Sequence, residues 1–340
     1  MMEAPLISVV SPVYLGEKQV RPLVEEIIAG CKPLTSNIEI VLVDDGSPDG
    51  SWEAIEAVCA EEPRVVGVKL SRNFGQQNAL SAGLDASRGD YVVVMDCDLQ
   101  DDPKYIPELY AKAQEGFDVV YTLKHDRAHT SFRNITGRTF HRILSWLAGP
   151  GFHSDSRIGN YTLITRSVVE AFRSVGDYHR SYLIILHYLG FRTSLVEIEH
   201  RERLGSKSTY TLRKLINEAI NITTSQTDRL LHASIVLGFT LVGLSIATIV
   251  LLVVLYYSIG FREGWTSLVV LQLFSTGLIL SCLGVVGIYI GKIFDQVKGR
   301  PAWVVMQTRN FERDRRATPL SAARPVRSGS SGSNVAELPR

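Results

Sequence analysis

The sequence has few cysteines and almost no excess of either charge. Its four cysteines follow no paired spacing, which argues against a zinc site or a disulfide framework and favours a reducing compartment for the soluble part. Its 36 basic residues nearly balance 35 acidic ones, giving a net charge of +1, whereas nucleic-acid binders carry a basic face. The first residues already have a strand pattern, so no cleavable signal peptide is predicted.

Short apolar runs alternate with helical patterns along the first 200 or so residues. Stretches with helical spacing separate five such runs, which begin at Leu6, Ile38, Val65 and Tyr91 and, for the last, occupy residues 118–122. Pro12 is predicted to end the first strand, because proline cannot donate to a central ladder. This alternation predicts an α/β fold with a doubly wound, mostly parallel sheet, extended by strands within 159–165 and 191–200. Ligands of such sheets bind beyond the carboxyl ends of the strands.

The strand at residues 91–95 is followed by four carboxylates in one short turn, Asp96, Asp98, Asp101 and Asp102. Carboxylates this close repel one another, and a hard divalent cation relieves the repulsion. Alternation along an extended chain would point Asp96 and Asp98 the same way. Mg²⁺ and Mn²⁺ usually bind one or two protein carboxylates with substrate phosphates, so the turn predicts one of these ions beside a diphosphate. A solvated acidic turn that caps the helix beginning near Pro103 is the alternative.

Two apolar runs, at residues 233–259 and 265–290, predict a two-helix transmembrane hairpin. Each exceeds the ~20 residues that a helix needs to cross a bilayer, and neither contains a charged residue. Cations flank both outer ends of the hairpin, whereas Arg262 is the one basic residue of the connection. Both termini and the catalytic domain are therefore predicted to face the cytoplasm. A buried hairpin of a soluble protein is the alternative.

The predicted domains are a catalytic domain at 1–210, an amphipathic juxtamembrane helix at 211–232, two transmembrane helices at 233–291 and a cytoplasmic tail at 292–340, disordered from about 317. Within the catalytic domain, residues 124–142 are rich in Lys, Arg and His. Their later part has the apolar spacing of an amphipathic helix beside an anionic partner or a membrane surface. A solvated basic face is the alternative.

Six motifs resemble those of family 2 glycosyltransferases of GT-A fold, and within them of the polyprenyl-phosphate sugar transferases, such as dolichyl-phosphate mannose synthases and bactoprenol glucosyltransferases. They lie at residues 9–14, 43–47, 71–75, 82–85, 95–101 and 203–208. The resemblance implies transfer of a single sugar from a nucleotide diphosphate sugar to polyprenyl phosphate at the cytoplasmic membrane face. A UDP-sugar is preferred over a GDP-sugar, and in-line attack by the lipid phosphate would invert the anomeric carbon.

The resemblance also implies roles for individual residues. The nucleotide is expected to contact Pro12, Tyr14, Glu17, Asp44, Asp45, Asp96 and Lys207, and Mg²⁺ or Mn²⁺ is expected to bind Asp96, Asp98 and Gln100. The expected catalytic residues are Asp98, Asp101 and Arg203. Arg203 and Lys207 would close over the leaving diphosphate, and Asp101 would orient the acceptor or act as a weak base. The acceptor phosphate is expected to contact Lys124, Arg127, Arg133 and Arg138, of which Arg127 and Arg133 are favoured.

Three features depart from the family pattern. Asn160 stands where many relatives carry an acidic residue, the loop at 205–209 is one residue longer than its commonest form, and residues 226–230 lack the tryptophan of processive synthases.

The alternative functions are a processive polysaccharide synthase, a glycolipid glycosyltransferase and a membrane scaffold that binds nucleotide sugar without turnover. The expected partners are the nucleotide sugar, the polyprenyl phosphate and the membrane, with no nucleic acid, and the sequence is compatible with a homo-oligomer.

Overall fold

An eight-stranded sheet organises the protein. The computed structural model describes residues 5–124, 158–178, 180–199 and 265–311, together with scattered positions from 234 to 258. The strands are β1 (Ile7–Val13), β2 (Ile38–Asp44), β3 (Val65–Leu70), β4 (Tyr91–Val94), β5 (Val119–Lys124), β6 (Ile158–Thr165), β7 (Thr193–Ile198) and β8 (Val305–Arg309). Their order across the sheet is β7-β5-β6-β4-β1-β2-β3-β8.

Seven helices are described, and the first six of them pack on the two faces of the sheet. They are α1 (Val20–Cys31), α2 (Ser51–Glu61), α3 (Gln76–Ala86), α4 (Ile106–Gln114), α5 (Arg166–Ser174), α6 (Tyr182–Leu189) and α7 (Trp265–Val297), with a 3₁₀ turn at Pro103–Tyr105. In α1, apolar side chains recur every three or four residues and are buried together, because this spacing gathers them on one side of a helix. The predicted helices of the first 115 residues are confirmed.

The centre of the sheet consists of four neighbouring parallel strands, β4, β1, β2 and β3. Successive residues of β1 point to opposite faces. Val9 packs in a cluster with Leu23 of α1, and Val10 packs in a second cluster with Leu80 of α3 and Phe172 of α5. Both faces of the central strands are therefore covered, and the predicted doubly wound, mostly parallel α/β sheet is confirmed. β6 and β8 run antiparallel to their neighbours.

Two strand ends differ from the prediction. Pro12 lies inside β1, which continues to Val13. Proline has no N–H to donate to a neighbouring strand. This is tolerated at Pro12 because the pairing of β1 with β4 ends at Val10 and Val94, before Pro12 is reached. Since β4 ends at Val94, Met95 and the carboxylates after it belong to a turn.

The stretch between β6 and β7 contains two helices that the sequence analysis did not predict. α5 is short and polar outside, but it buries Val168, Val169 and Phe172 on one face. α6 ends at Gly190, which adopts the left-handed conformation that favours glycine. These helices cover the face of the sheet on which α3 also packs.

Strand β8 follows the apolar helix α7 in sequence and returns to the catalytic sheet. It pairs antiparallel with β3 from Gly67 and Arg309 to Leu70 and Val305. The N–H of Ser71 continues the contact by donating to the carbonyl oxygen of Val304 (2.9 Å). No strand is predicted here from the sequence. The sheet takes its last strand from a segment that lies beyond the predicted catalytic domain at 1–210.

The end of α7 and the chain before β8 are attached to the loop between α5 and α6. The Gln296 side chain donates to the carbonyl oxygen of Gly176 (2.9 Å) and accepts from the N–H of Tyr178 (2.8 Å). Trp303 is buried, and the guanidinium carbon of Arg180 lies 5.3 Å from the centre of its ring. The apolar helix is therefore joined to the catalytic sheet by two sets of contacts.

Within the described part of the chain, one helix is long and apolar enough to cross a membrane, at Phe274–Val297. Its large apolar side chains, among them Phe274, Leu280 and Ile293, are exposed. The positions described between 234 and 258 are also helical. The juxtamembrane helix predicted at 211–232, the basic segment from 125 onward and the tail beyond 311 lie outside the described residues.

Candidate functional site

The carboxyl ends of β1, β2 and β4 meet at one edge of the sheet, called here the strand edge. Val13 is in register with Asp44, and the N–H of Asp45 donates to the carbonyl oxygen of Val13 (2.9 Å). On the other side of β1, the N–H of Met95 donates to the carbonyl oxygen of Val10 (3.1 Å). The residues at this edge include the predicted site residues Pro12, Tyr14, Glu17, Asp44, Asp45, Asp96, Asp98, Gln100 and Asp101.

Asp44 is fully buried at the end of β2. Its Oδ1 accepts a hydrogen bond from the N–H of Ser47 (3.1 Å), and its Oδ2 has no hydrogen-bond partner among the described residues. Burial raises the pKa of Asp44, although the bonds from Ser47 and the charge of Lys69 oppose the rise. An N–H or hydroxyl of a bound ligand would satisfy the second oxygen.

Asp45 holds the loop that follows β3. Its carboxylate accepts hydrogen bonds from the N–H groups of Phe74 (2.7 Å) and Gly75 (3.0 Å). Burial raises the pKa of Asp45, and these two bonds counteract the rise. The neighbouring Gly46 has a φ of 61° and lies so close to the backbone of Arg72 that a Cβ would overlap it. The turn after β2 and the loop after β3 are therefore packed backbone to backbone.

The turn after β1 is tied to the turn after β2 by side chains. The N–H of Leu15 donates to Ser47 Oγ (3.1 Å), and the N–H of Gly16 donates to Ser51 Oγ (2.9 Å). The N–H of Glu17 donates to Asp49 Oδ2 (3.4 Å). These bonds leave the side chain of Tyr14 46 % exposed beside the strand edge.

The four carboxylates after β4 differ in their surroundings. Asp96 Oδ1 accepts from the side-chain amide of Gln76 (2.8 Å), and Asp98 Oδ1 accepts from the N–H of Gln100 (3.2 Å). Asp101 is buried, and its Oδ2 accepts from the N–H of Asp96 (3.2 Å). Asp102 is also buried, and its two oxygens contact the N–H (3.0 Å) and the Nζ (3.1 Å) of Lys104. The inner pair therefore shapes the turn, and the outer pair is partly exposed.

The alternation argument for Asp96 and Asp98 was wrong in its premise, because both residues lie in a turn. The chain turns at Cys97 and Asp98, and Leu99, directly after Asp98, adopts a φ of 61°. The turn is also followed by a segment that packs closely on α1, because a Cβ added to Gly30 of α1 would lie 2.5 Å from the carbonyl oxygen of Pro103. Close packing of α1 against the 3₁₀ turn thus fixes where the carboxylates emerge.

The ligand chemistry at the acidic turn fits Mg²⁺ or Mn²⁺. Asp96 and Asp98 supply carboxylate oxygens and Gln100 an amide oxygen, and such hard donors suit these ions. Among the described residues, no three His, Cys, Asp or Glu side chains form a cluster that could hold a metal ion.

The remaining predicted site residues are the cations proposed for the two phosphate-bearing substrates. Lys124 ends β5, which is parallel to β4 because both are antiparallel to β6, so its backbone lies at the same edge. Arg127, Arg133, Arg138, Arg203 and Lys207 lie outside the described residues.

The contacts of the segment 74–76, which leads from β3 into the first residue of α3, were not predicted from the sequence, although the motif at 71–75 includes two of its residues. Two of its N–H groups bind Asp45, and Gln76 binds Asp96. The available signal was its position, because it follows a strand that is parallel to β2 and ends at the same edge.

Comparison with known proteins agrees with this geometry. The model of the family described as glycosyl transferase family 2 matches residues 8–175, which include the whole strand edge. The uncharacterized glycosyltransferase YkcC of Bacillus subtilis (strain 168) is 32% identical over 312 residues, covering 91% of this chain and 95% of that protein. The undecaprenyl-phosphate 4-deoxy-4-formamido-L-arabinose transferase of Aeromonas hydrophila subsp. hydrophila is 32% identical over 308 residues, covering 89% of this chain and 93% of that protein.

A solved structure is also similar. The mannosyltransferase PcManGT from Pyrobaculum calidifontis, in complex with GDP-Man and Mn²⁺, is 19% identical, with a TM-score of 0.47 over 67% of this chain and 65% of that one.

The different surroundings of Asp44 and Asp49 predict opposite effects of removing their charges. Burial raises the pKa of Asp44, so its ionised form destabilises the fold, and this penalty appears as the pH rises through the folded-state pKa. Asp44→Asn should therefore raise the melting temperature near pH 7. The gain should shrink at about pH 3.5, below the ordinary aspartate pKa.

Asp49→Asn is the matched control. Burial would raise the pKa of Asp49, but hydrogen bonds from Ser51 and from the N–H of Glu17 outweigh it and lower the pKa. Its ionised form therefore stabilises the fold, and this contribution is lost as the pH falls through the folded-state pKa. Asp49→Asn should lower the melting temperature near pH 7 and have less effect at about pH 3.5. Scanning fluorimetry of the full chain in detergent measures both variants, and effects of the same sign would contradict this account.

Proposed function

The chain belongs to glycosyl transferase family 2, and on this premise we propose that it transfers one sugar from a nucleotide diphosphate sugar to undecaprenyl phosphate at a membrane. The observation that carries the proposal is the extent of the similarity. Relatives named as undecaprenyl-phosphate transferases match 89% of this chain, far beyond the residues 8–175 that the family model covers. Their 4-deoxy-4-formamido-L-arabinose is therefore the first sugar to test.

The strand edge supports the nucleotide part of the proposal. Asp44 presents an unpartnered acceptor oxygen among the described residues, suited to an N–H of a base or a ribose hydroxyl. The exposed ring of Tyr14 offers a surface on which a base can stack. We propose that Pro12, Glu17 and Asp45 shape the same pocket, and that UDP is the preferred nucleotide.

We further propose that Asp96, Asp98 and Gln100 hold Mg²⁺ or Mn²⁺ beside the diphosphate. When bound, the ion would offset the charge that develops on the leaving diphosphate. Arg203 and Lys207 are proposed to close over the same leaving group, because cations aimed at a departing oxygen stabilise the transition state. The part of Asp101 is then indirect, since its carboxylate holds the N–H of Asp96 and keeps the turn in shape.

The acceptor requires orientation more than activation. A phosphate monoester has a second pKa near 6, so most of it is dianionic at neutral pH and already nucleophilic. Its oxygen attacks the anomeric carbon as the bond from that carbon to the nucleotide diphosphate breaks, which inverts the configuration. Lys124 lies at the strand edge, and we propose that it acts with Arg127, Arg133 and Arg138 to position the phosphate.

Asp98→Ala tests the donor side of this function. Because Asp98 is proposed to hold the metal, the variant should lose two to three orders of magnitude in kcat, the effect of several kcal/mol of transition-state stabilisation. Purified full-length enzyme is incubated with labelled nucleotide sugars, undecaprenyl phosphate and Mn²⁺, and the lipid product is identified by mass. Asp118→Asn is the control, because Asp118 accepts a backbone N–H from Arg192 outside the site and this variant should stay near wild type.

The products decide between the alternatives. A lipid monophosphate with one sugar supports the proposal, a lipid with several sugars favours a processive synthase, and sugar transfer to diacylglycerol favours a glycolipid glycosyltransferase. Full activity of Asp98→Ala in chelator-treated enzyme would exclude its role at the metal.

Arg127→Ala and Arg133→Ala test the acceptor side. If these arginines position the lipid phosphate, each variant should raise the KM for undecaprenyl phosphate by roughly tenfold or more, about what one charged hydrogen bond contributes. The KM for the nucleotide sugar should change by about twofold or less. Steady-state kinetics with each substrate varied in turn measures the two constants. If the variants instead lose affinity for the nucleotide sugar and keep a normal KM for undecaprenyl phosphate, the basic segment belongs to the nucleotide site and this assignment is wrong.

We also propose that the chain crosses the membrane twice, at residues 233–259 and 265–290, with both termini in the cytoplasm. The exposed apolar surface of α7 and the helical positions between 234 and 258 support two adjacent spans. A cysteine placed at position 264 should be labelled by an impermeant maleimide from the non-cytoplasmic side, and one at position 328 from the cytoplasmic side. Cytoplasmic labelling at position 264 would refute the arrangement.

A further inference from the structure

Gln76 joins two ends of the sheet that are not neighbours. It is the first residue of α3 and is exposed, and its side-chain Nε2 lies 2.8 Å from Asp96 Oδ1. Gln76 follows β3, Asp96 follows β4, and β1 and β2 lie between these strands in the sheet. The hydrogen bond therefore crosses the strand edge, above the ends of the strands that carry Tyr14 and Asp44.

The position of Gln76 is fixed on both sides. Just before it, the N–H groups of Phe74 and Gly75 are bound to Asp45. Just after it, the side-chain oxygen of Gln77 accepts a hydrogen bond from the N–H of Tyr182 at the start of α6 (2.8 Å). With its neighbours held in this way, the backbone of Gln76 has little freedom, and its amide is directed at Asp96 before any ligand arrives.

Asp96 is held at two points as a result. Its backbone N–H donates to Asp101, and one carboxylate oxygen accepts from Gln76. An amide donor fixes the direction of a carboxylate but adds no positive charge, whereas Lys or Arg would neutralise it. The amide of Gln76 therefore orients Asp96 without adding positive charge of its own.

We infer that Gln76 is a positioning residue for the metal-binding carboxylate Asp96, and this inference rests on the proposed function. Partners of this kind orient metal ligands, and their loss typically weakens metal affinity by about 10- to 100-fold. The same short segment binds Asp45 on the nucleotide side, so the loop that borders the nucleotide pocket also sets the direction of the metal carboxylate.

The test compares Gln76→Ala and Gln76→Glu with Gln114→Ala. Gln114 is a matched control, because it is also exposed and its amide donates one hydrogen bond (2.9 Å), to Tyr91 away from the strand edge. Binding of Mn²⁺ to the full chain in detergent is measured by electron paramagnetic resonance with saturating UDP, and UDP binding is measured separately in chelator by calorimetry.

Gln76→Ala should raise the Kd of Mn²⁺ about tenfold or more, and Gln76→Glu should raise it further, since it keeps the shape but sets a second carboxylate against Asp96. The Mn²⁺ concentration for half-maximal activity should rise in parallel. UDP affinity in chelator and the melting temperature should stay at the wild-type values, as should every measurement on Gln114→Ala.

The outcomes separate this inference from the proposed function. If the wild type shows no Mn²⁺ binding with UDP, the proposed metal site itself fails. If the wild type binds Mn²⁺ and Gln76→Ala binds it equally well, the positioning role is wrong. A loss of UDP affinity in chelator, or a lower melting temperature, that accounts for the weaker metal binding would make Gln76 a structural residue and also overturn the inference.

Discussion

The carboxylate of Asp45, which receives the N–H groups of Phe74 and Gly75, is the interaction on which the shape of the strand edge depends. Burying a carboxylate disfavours its ionised form, and charge-assisted hydrogen bonds offset that penalty. The arrangement also satisfies two backbone donors of a loop that lies too tightly against Gly46 to take in a side chain there. Through this one group, the loop after β3 is brought to the end of β2, and Gln76 comes within reach of Asp96.

The acidic turn shows how four neighbouring carboxylates can be accommodated by division of roles. Asp101 and Asp102 are buried and accept hydrogen bonds from backbone N–H groups of the turn, so their charge is used in holding its shape. Asp96 and Asp98 remain partly exposed at the strand edge. Repulsion within the group is thus eased by hydrogen bonding of the inner pair, and the outer pair is the one that we propose as metal ligands.

The alternation of strands and helices up to α4 could be predicted because each strand is a short apolar run that the sheet buries on both faces. The convergence of Asp44, Asp45 and Asp96 followed from the rule that parallel strands end at one edge. The direction of Asp96 could not be predicted, because it depends on a turn whose path is set by the packing of α1 on Pro103. Gln76 was missed because a neutral amide carries no signal of its own until the fold places it beside a carboxylate.

The helices α5 and α6 and the strand β8 escaped prediction for different reasons. α5 has helical spacing at Val168, Val169 and Phe172, but its nine residues are fewer than the roughly 11 over which such a pattern is usually judged. α6 is apolar on most of its surface, so its pattern does not separate helix from strand. β8 is a five-residue strand at the edge of the described sheet, where it pairs with β3, and three of its five residues are exposed. Its existence depends on a pairing across more than 200 residues of sequence, which no local pattern records.

The position of β8 in the sequence has a consequence for biosynthesis. Translation produces residues 5–199, with seven strands of the sheet, before α7, and β8 only afterwards. Until that last segment leaves the ribosome, the edge of β3 presents open backbone donors and acceptors of the kind that pairs with stray strands. If the chain has the two-span topology proposed above, β8 reaches β3 only when α7 has the correct orientation in the bilayer. Pairing of β8 with β3 would then indicate that α7 has inserted correctly. Chains with a misplaced α7 would keep the edge of β3 unpaired, and cellular quality control can distinguish them by this exposed edge.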